Sequence, residues 1–246
     1  MFKSRRPRVA VLLVTPAVAA VSLSLAGCGS SSPQAASDAS TAKAAAGVVT
    51  PGAASGGTFT ASQLRSALLT KINGETPATP ATDGNYSSLP GMKTAKPAGV
   101  SVTPQACASE SLAGFDTDEM ASSPAATTTF KVGGNGVSEV LIAPSSATVA
   151  SALSQTLPAE CAHYTATVSG KTYQYSVKGS SVSGIGQQAR VVNVQTAGYP
   201  ADNIWVVMYR GSDFVGAFTV VGPEASETAV RELGTQAYGY AAKALS

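Results

Sequence analysis

Residues 203–224 run NIWVVMYRGSDFVGAFTVVGPE, two apolar stretches on either side of an Arg-Gly-Ser-Asp break. Successive side chains of a strand point to opposite faces. Ile204, Val206 and Met208 therefore share one face, and Trp205, Val207 and Tyr209 share the other. Gly211-Ser212 turns the chain back into "DFVGAFTVV", which makes the pair a hairpin. Both faces of the first strand are apolar. An antiparallel strand with one solvated face carries polar residues at alternate positions, so the second face is covered by another layer, by a long loop or by a ligand.

Working back from this hairpin, the same alternation recurs. "QARVVNVQT" (188–196) is a strand, preceded by a Gly- and Ser-rich joint, "GSSVSGIG". "AHYTATVSGKTYQYSVK" (162–178) is a second hairpin turning at Ser169-Gly170, with Tyr173, Tyr175 and Val177 on one side. "TTTFKVG" and "VSEVLIA" pair across "GNG" at 134–136. Between these lies a helix through "SSATVASALSQTL", where Val149, Leu153 and Leu157 share a face. A last helix spans about Glu224 to Ala244, with Val230, Leu233, Ala237 and Ala241 as its core stripe. Acids at its start and Lys243 near its end suit the helix dipole. Hairpins dominate, so the fold class is α+β: a mainly antiparallel sheet with helices packed on one face.

The front of this domain is less regular. Thr60 caps a helix through "SQLRSALLTKI", in which Leu64, Ala67, Leu68 and Ile72 fall at helical spacing. Residues 73–104 are rich in Pro, Gly, Asn and Thr and show no period, which marks a long loop, either a functional lid or a stretch that holds short elements without a sequence signal. "QACASESLAGFDTDEMASS" after Pro104 is partly helical in pattern.

Upstream the composition changes. Lys3, Arg5, Arg6 and Arg8 precede an apolar run from Val9 to Ala26 that is broken by Thr15, Pro16, Ser22 and Ser24. A basic start, an apolar middle and a small-residue end make a secretory signal. The run ends in Leu25-Ala26-Gly27-Cys28, which resembles the lipobox of bacterial lipoproteins; the resemblance implies cleavage before Cys28 and acylation of its sulfur. The alternative is an uncleaved signal anchor. Ser4-Arg5-Arg6 faintly resembles a twin-arginine signal, and the export route stays open. The chain then divides into a signal (1–27), a lipidated cysteine with a flexible tether (28–57) and a single domain (58–246). The tether is mostly Ser, Ala, Gly, Thr and Pro, too apolar-poor to offset its ordering entropy, with a reach of roughly 30 Å.

Cleavage also changes the charge. The whole chain carries 16 Lys and Arg against 14 acids; loss of the four leading basic residues leaves 12 against 14, a balance of −2. The basic excess belongs to targeting. The remaining Lys and Arg form no cluster of the kind nucleic acid requires, so nucleic acid is set aside as a partner.

With Cys28 acylated, Cys107 and Cys161 remain as an even pair in an exported domain, which argues for a disulfide pinning residues 105–121 to the end of the middle helix. The alternative is two free thiols. No catalytic residues are assigned. Ser40-Thr41-Ala42-Lys43 fits Ser-x-x-Lys but lies in the tether, and the companion Lys-Thr-Gly is absent. The single histidine, His163, sits in "CAH"; one His and one bonded Cys do not make zinc's four ligands. A serine triad has only His163 available and no Gly-x-Ser-x-Gly turn. Asp116, Asp118 and Glu119 lack the spacing of a calcium loop and fit a solvated helix end. "KVGGNG" opens a strand, where a phosphate cradle opens a helix. No metal or cofactor is expected.

"LPAEC", a hairpin, "GIGQQARVVNV", "NIWVVMYRGSDFVGAFTVVGPE" and a terminal alanine-rich helix follow one another over about residues 105–245. This order resembles the extracellular sensor domain of mycobacterial PknH-type receptor kinases and the actinobacterial lipoproteins that share it. The resemblance implies an antiparallel sheet with helices and a cleft for an unknown ligand. Members commonly carry two disulfides, whereas this chain has cysteines for one. The reading that follows is a membrane-anchored extracytoplasmic lipoprotein that is no enzyme. Its partners are the bilayer, through acylated Cys28, and a small apolar ligand or envelope component held in a cleft. Trp205, Tyr209, Tyr173 and Tyr175 are the candidate ligand contacts, with Arg210 as a polar partner; core or surface packing is the competing role for each. The rival functions are a module that docks an envelope protein through a sheet edge or the long loop, and an unrecognised hydrolase dependent on His163.

Overall fold

The computed structural model describes residues 58–92, 100–108, 117–154, 156–199 and 202–246. The signal segment, Cys28, the tether with Ser40 and Lys43, and Asp116 lie outside them. The strands are β1 (Thr79–Asn85), β2 (Val100–Thr103), β3 (Pro124–Val132), β4 (Asn135–Ile142), β5 (His163–Val168), β6 (Lys171–Val182), β7 (Gln188–Thr196), β8 (Ile204–Arg210) and β9 (Val215–Val221). They form one nine-stranded sheet in the order β1-β3-β4-β9-β8-β7-β6-β5-β2. Every pairing is antiparallel. The helices are α1 (Ala61–Ser66), α2 (Asp118–Ser122), α3 (Ser146–Ser151) and α4 (Glu227–Ala244). The fold is α+β, as the alternation implied.

The opening hairpin is β8–β9, and its two apolar faces enter two cores. Val207 and Tyr209, with half-buried Trp205, face a layer made by α1 and α4. Ile204, Val206 and Met208 face a second layer. That layer contains the segment after β1, with Tyr86, Leu89 and Met92 buried, together with Met120 of α2 and Val149 of α3. Of the two readings of the long loop at residues 73–104, a lid or a stretch holding short elements, the structure shows the second: it holds β1, a 3-10 turn at Tyr86–Ser88 and β2, strands on opposite edges of the sheet. Its apolar residues answer the question the hairpin posed, because they cover the face that alternation left unexplained. β1 escapes a pattern search because it is an edge strand, TPATDGN, whose side chains are mostly exposed and carry no alternating apolar set.

The helices are shorter than their sequence spacing predicts, and each end has a local cause. Thr60 caps α1 as expected: its hydroxyl accepts from Gln63 N, while Gln63 Oε1 accepts from Thr60 N at 2.8 Å. The helix stops at Ser66. Two residues beyond its Ala67 cap, the Leu69 N–H donates to the buried Glu139 carboxylate at 2.8 Å, in place of a helical carbonyl. Leu68 and Ile72 still enter the core from the following turn. α3 ends at Ser151 because Arg210 donates to the Ala150 carbonyl at 2.7 Å and Leu153 takes a φ of 67°. α4 starts at Glu227, capped by Ser226, three residues after the expected Glu224. The β3–β4 turn is Gly133-Gly134, earlier than residues 134–136, since Val132 pairs with Asn135. The 179–186 joint is shorter than expected, because β6 runs on through Val182 against β7.

α4 crosses β7, β8 and β9, and α1 covers β1, β3 and β4. On that face β5 and β6 lie beyond both helices, and their residues there are polar: Thr165, Thr167, Thr172, Gln174 and Ser176. Among the described residues no helix is long and apolar enough to cross a membrane.

Candidate functional site

The open end of the sheet carries a cleft of about 530 Å³. Its floor follows the strand register. His163 pairs with Ser176, Ser176 with Gln195, and Asn203 follows next to Gln195 at the entrance to β8. The result is a transverse row of polar residues that lines the cleft. Hydrogen-bonded strands are spaced by roughly 4.8 Å, so the sheet fixes the separation along this row. Asn203 is held in place: its Oδ1 accepts from Asn193 at 2.8 Å, and its Nδ2 donates to the Ala225 carbonyl at 2.8 Å. Pro223, between β9 and α4, closes one side. Ala197, Gly198 and Tyr199, on the β7–β8 connection, close another.

Tyr199 is 46 % exposed at this cleft and sets its ring against Tyr173, centroids 5.7 Å apart and tilted by 58°. Tyr175 also lines the cleft and stacks on Tyr164 at 5.0 Å. Burial, then the nearby Asp202 and Tyr173, push the Tyr175 phenol up to about 12. The buried Thr196 hydroxyl leans toward that phenol and eases its ionisation, without reaching a hydrogen bond of good geometry. Burial also raises the Asp202 carboxyl above its ordinary range.

The five ligand candidates do not assemble. Trp205 and Tyr209 face the α1/α4 layer, whereas Tyr173 and Tyr175 face the opposite core, so the four aromatics cannot line a single cleft. Tyr209 is fully buried, edge-on to Phe214 and Tyr238 at 6.5 and 5.7 Å. Its ring lies over Gly216, where an added Cβ would stand 2.4 Å from the ring carbons; only glycine admits it. Arg210 is engaged at the end of α3. Of the five, Tyr175 alone is in the cleft lining, and Tyr173 supports it through Tyr199. Gln174, Ser176, Gln195 and Asn203 went unrecognised, although their signal was present as the polar half of each strand's alternation.

Cys107 and Cys161 are bonded, Cα atoms 5.4 Å apart. The bond joins the 3-10 turn after β2 (Gln105–Ala108) to the one before β5 (Ala159–Ala162), beyond the true end of α3. It locks the edge strand β2 onto β5, two residues from His163. Glu119 of α2 is committed to the start of α3: it accepts from Ser145 N at 3.1 Å and from the Thr148 hydroxyl, and the Ser145 side chain, then the Thr148 hydroxyl and the Ser145 N–H, hold its carboxyl below the usual range.

A second polar concentration lies inside the core. Thr128 and Glu139 are cross-strand partners on β3 and β4, and Tyr209 lies on the same face. Among the described residues, Thr128 Oγ1, Glu139 Oε1 and the Tyr209 hydroxyl are buried and find no hydrogen-bond partner. Burial pushes the Glu139 carboxyl up to about 8, opposed only by the Leu69 N–H. Burial and the adjoining Glu139 raise the Tyr209 phenol.

No family model matches the chain. No curated protein matches it either. Solved structures similar to it include the following two. The chain is similar in structure to the extracellular domain of PknH from Mycobacterium tuberculosis, the family its sequence resembles. That match has 12 % identity and a TM-score of 0.49, covering 75 % of this chain and 97 % of that one. Another is an uncharacterised Mycobacterium smegmatis protein, the Rv0999 ortholog, at 14 % identity and TM-score 0.43, covering 74 % and 94 %.

Proposed function

We propose that the chain is an extracytoplasmic lipoprotein, held to the bilayer by acylated Cys28, whose tethered domain binds a small molecule without transforming it. The observation that carries this reading is the cleft at the open end of the sheet. Its volume of about 530 Å³ lies within the range of ligand pockets, roughly 300–1,000 Å³. It stands on a rigid strand register and is walled by two connections, the arrangement that holds binding groups in fixed positions. The address is supported by the signal and lipobox. It is also supported by the Cys107–Cys161 bond, since disulfides persist in oxidising compartments. Binding is favoured over catalysis because the lining is chiefly amides and hydroxyls, groups that hold a ligand by hydrogen bonds.

Expression of the full chain in its own host tests both halves. Wild type is expected in the membrane fraction with a diacylated Cys28 peptide, and Cys28→Ser is expected to leave the membrane. Denaturation of the washed, purified protein is expected to release a small molecule. An unmodified Cys28 would end the anchoring claim, and an empty extract would count against the binding claim.

A further inference from the structure

The cleft reading leaves the ligand unnamed, and the lining specifies its chemistry. We propose that the cleft takes a neutral polyhydroxylated ligand, a saccharide, in place of the apolar molecule that the aromatic content of the sequence favoured. The inference rests on the proposal that the cleft is a binding site.

Three observations carry it. First, among the described residues the lining includes no Lys, Arg, Asp or Glu, and the one acid beside it, Asp202 near Tyr175, is itself held toward its neutral form by burial. A charged ligand entering it would lose hydration without gaining a counter-charge. Second, the polar row is dominated by amides and hydroxyls. Gln174 and Gln195 each present a carbonyl acceptor and an NH₂ with two donors, while Asn203, held by Asn193 and the Ala225 carbonyl, keeps one N–H and one lone pair for a ligand. A sugar hydroxyl both gives and accepts, so neighbouring hydroxyls on one ring match that set. An apolar ligand would instead bury these groups unpartnered, at roughly 1–3 kcal/mol each. Third, the walls supply apolar surface of the kind a sugar ring needs. Pro223 stands at one edge of the cleft, and exposed Tyr199, its ring resting on Tyr173 of the opposite face, closes the end where the sheet stops. Such surfaces meet the C–H face of a pyranose while leaving the phenol free to bond. The strand spacing along His163, Ser176 and Gln195 is comparable to the width of one sugar ring, and the disulfide two residues from His163 holds the outer strand of that row.

His163 is the chain's single histidine, so imidazole labelling gives one reporter signal inside the cleft lining. The full lipidated chain in nanodiscs is titrated with maltotriose, cellotriose, mannobiose and galactobiose, and separately with dodecanol. At least one sugar is expected to shift the His163 signal saturably, with dodecanol leaving it in place. Gln195→Ala, at an exposed strand position, is expected to weaken the sugar's affinity by about tenfold, the loss of roughly one good hydrogen bond. A shift from dodecanol with none from any sugar overturns the saccharide assignment and leaves the cleft as a binding site. Silence from every probe overturns both. A sugar response unchanged in Gln195→Ala overturns the assignment to this row.

Discussion

Glu139→Gln is the substitution whose effect the structure specifies most fully. The wild-type carboxyl is completely buried, receives one hydrogen bond from Leu69 N, and has its pKa raised by burial to about 8 from an ordinary 4.5. In the unfolded chain it ionises near the ordinary value. Between those two pH values the folded state keeps a proton that the unfolded state has released. Raising the pH through this window therefore favours unfolding. The loss is about 1.4 kcal/mol for each pH unit, the free energy of one unit of pKa difference. The stabilising contribution is complete below the unfolded value and is gone once pH passes the folded one, several kcal/mol in total. Glutamine keeps an acceptor for Leu69 N, fills the same space and does not titrate. Its amide also offers donors toward the Thr128 and Tyr209 hydroxyls, which lack partners. The assay is urea unfolding of both proteins at intervals from about pH 5 to pH 8. Burial raises Asp202, and hydrogen bonds lower Glu119, so each adds its own slope to both proteins. The difference between the two curves isolates Glu139. Wild type and variant should be similar near pH 5 and diverge steadily, the variant being the more stable by pH 8. Parallel curves over the whole range would refute the account of Glu139 as an acid held neutral by burial.

Three further outcomes follow from the packing. Gly234→Ala places a Cβ 2.4 Å from Val207 Cγ1, where α4 crosses β8, and should destabilise the domain by about 1–3 kcal/mol in thermal unfolding, outweighing the gain in helix propensity. Tyr209→Phe removes a buried hydroxyl that has no partner and should leave stability unchanged or raised, read by denaturant midpoint; a loss above about 1 kcal/mol would mean that the hydroxyl is bonded in solution. Replacing Cys107 and Cys161 together with serine opens a loop of 54 residues, which should cost about 4 kcal/mol by chain entropy and raise amide exchange in β2 before β8.

The inner half of the sheet was readable because β6 to β9 alternate, and the two-sided apolar β8 announced that both faces are covered. The cover itself was hidden. Tyr86, Leu89 and Met92 are spread among Pro, Gly, Asn and Ser, with no period to link them, and they earn burial only by crossing beneath a sheet whose order is set elsewhere. β1 was hidden for the related reason that an edge strand needs no apolar alternation. The candidate site shows a different limit. Aromatic residues marked where large side chains lie, and in this fold large side chains fill the cores. Which tyrosines share a face depends on the register between hairpins, and that register separates Trp205 and Tyr209 from Tyr173 and Tyr175. Ser176 and Gln195 were visible as the polar half of the same strands, but only cross-strand pairing brings them into one row with His163.

The central claim, that this cleft holds a small molecule, is tested most directly by native mass spectrometry of the full chain extracted from its own membrane, beside Gln195→Trp, which plugs the cleft from an exposed strand position. Wild type should carry a noncovalent mass, in addition to the acyl chains on Cys28, that the plugged variant lacks. No added mass in wild type, or the same added mass in both proteins, would contradict the claim.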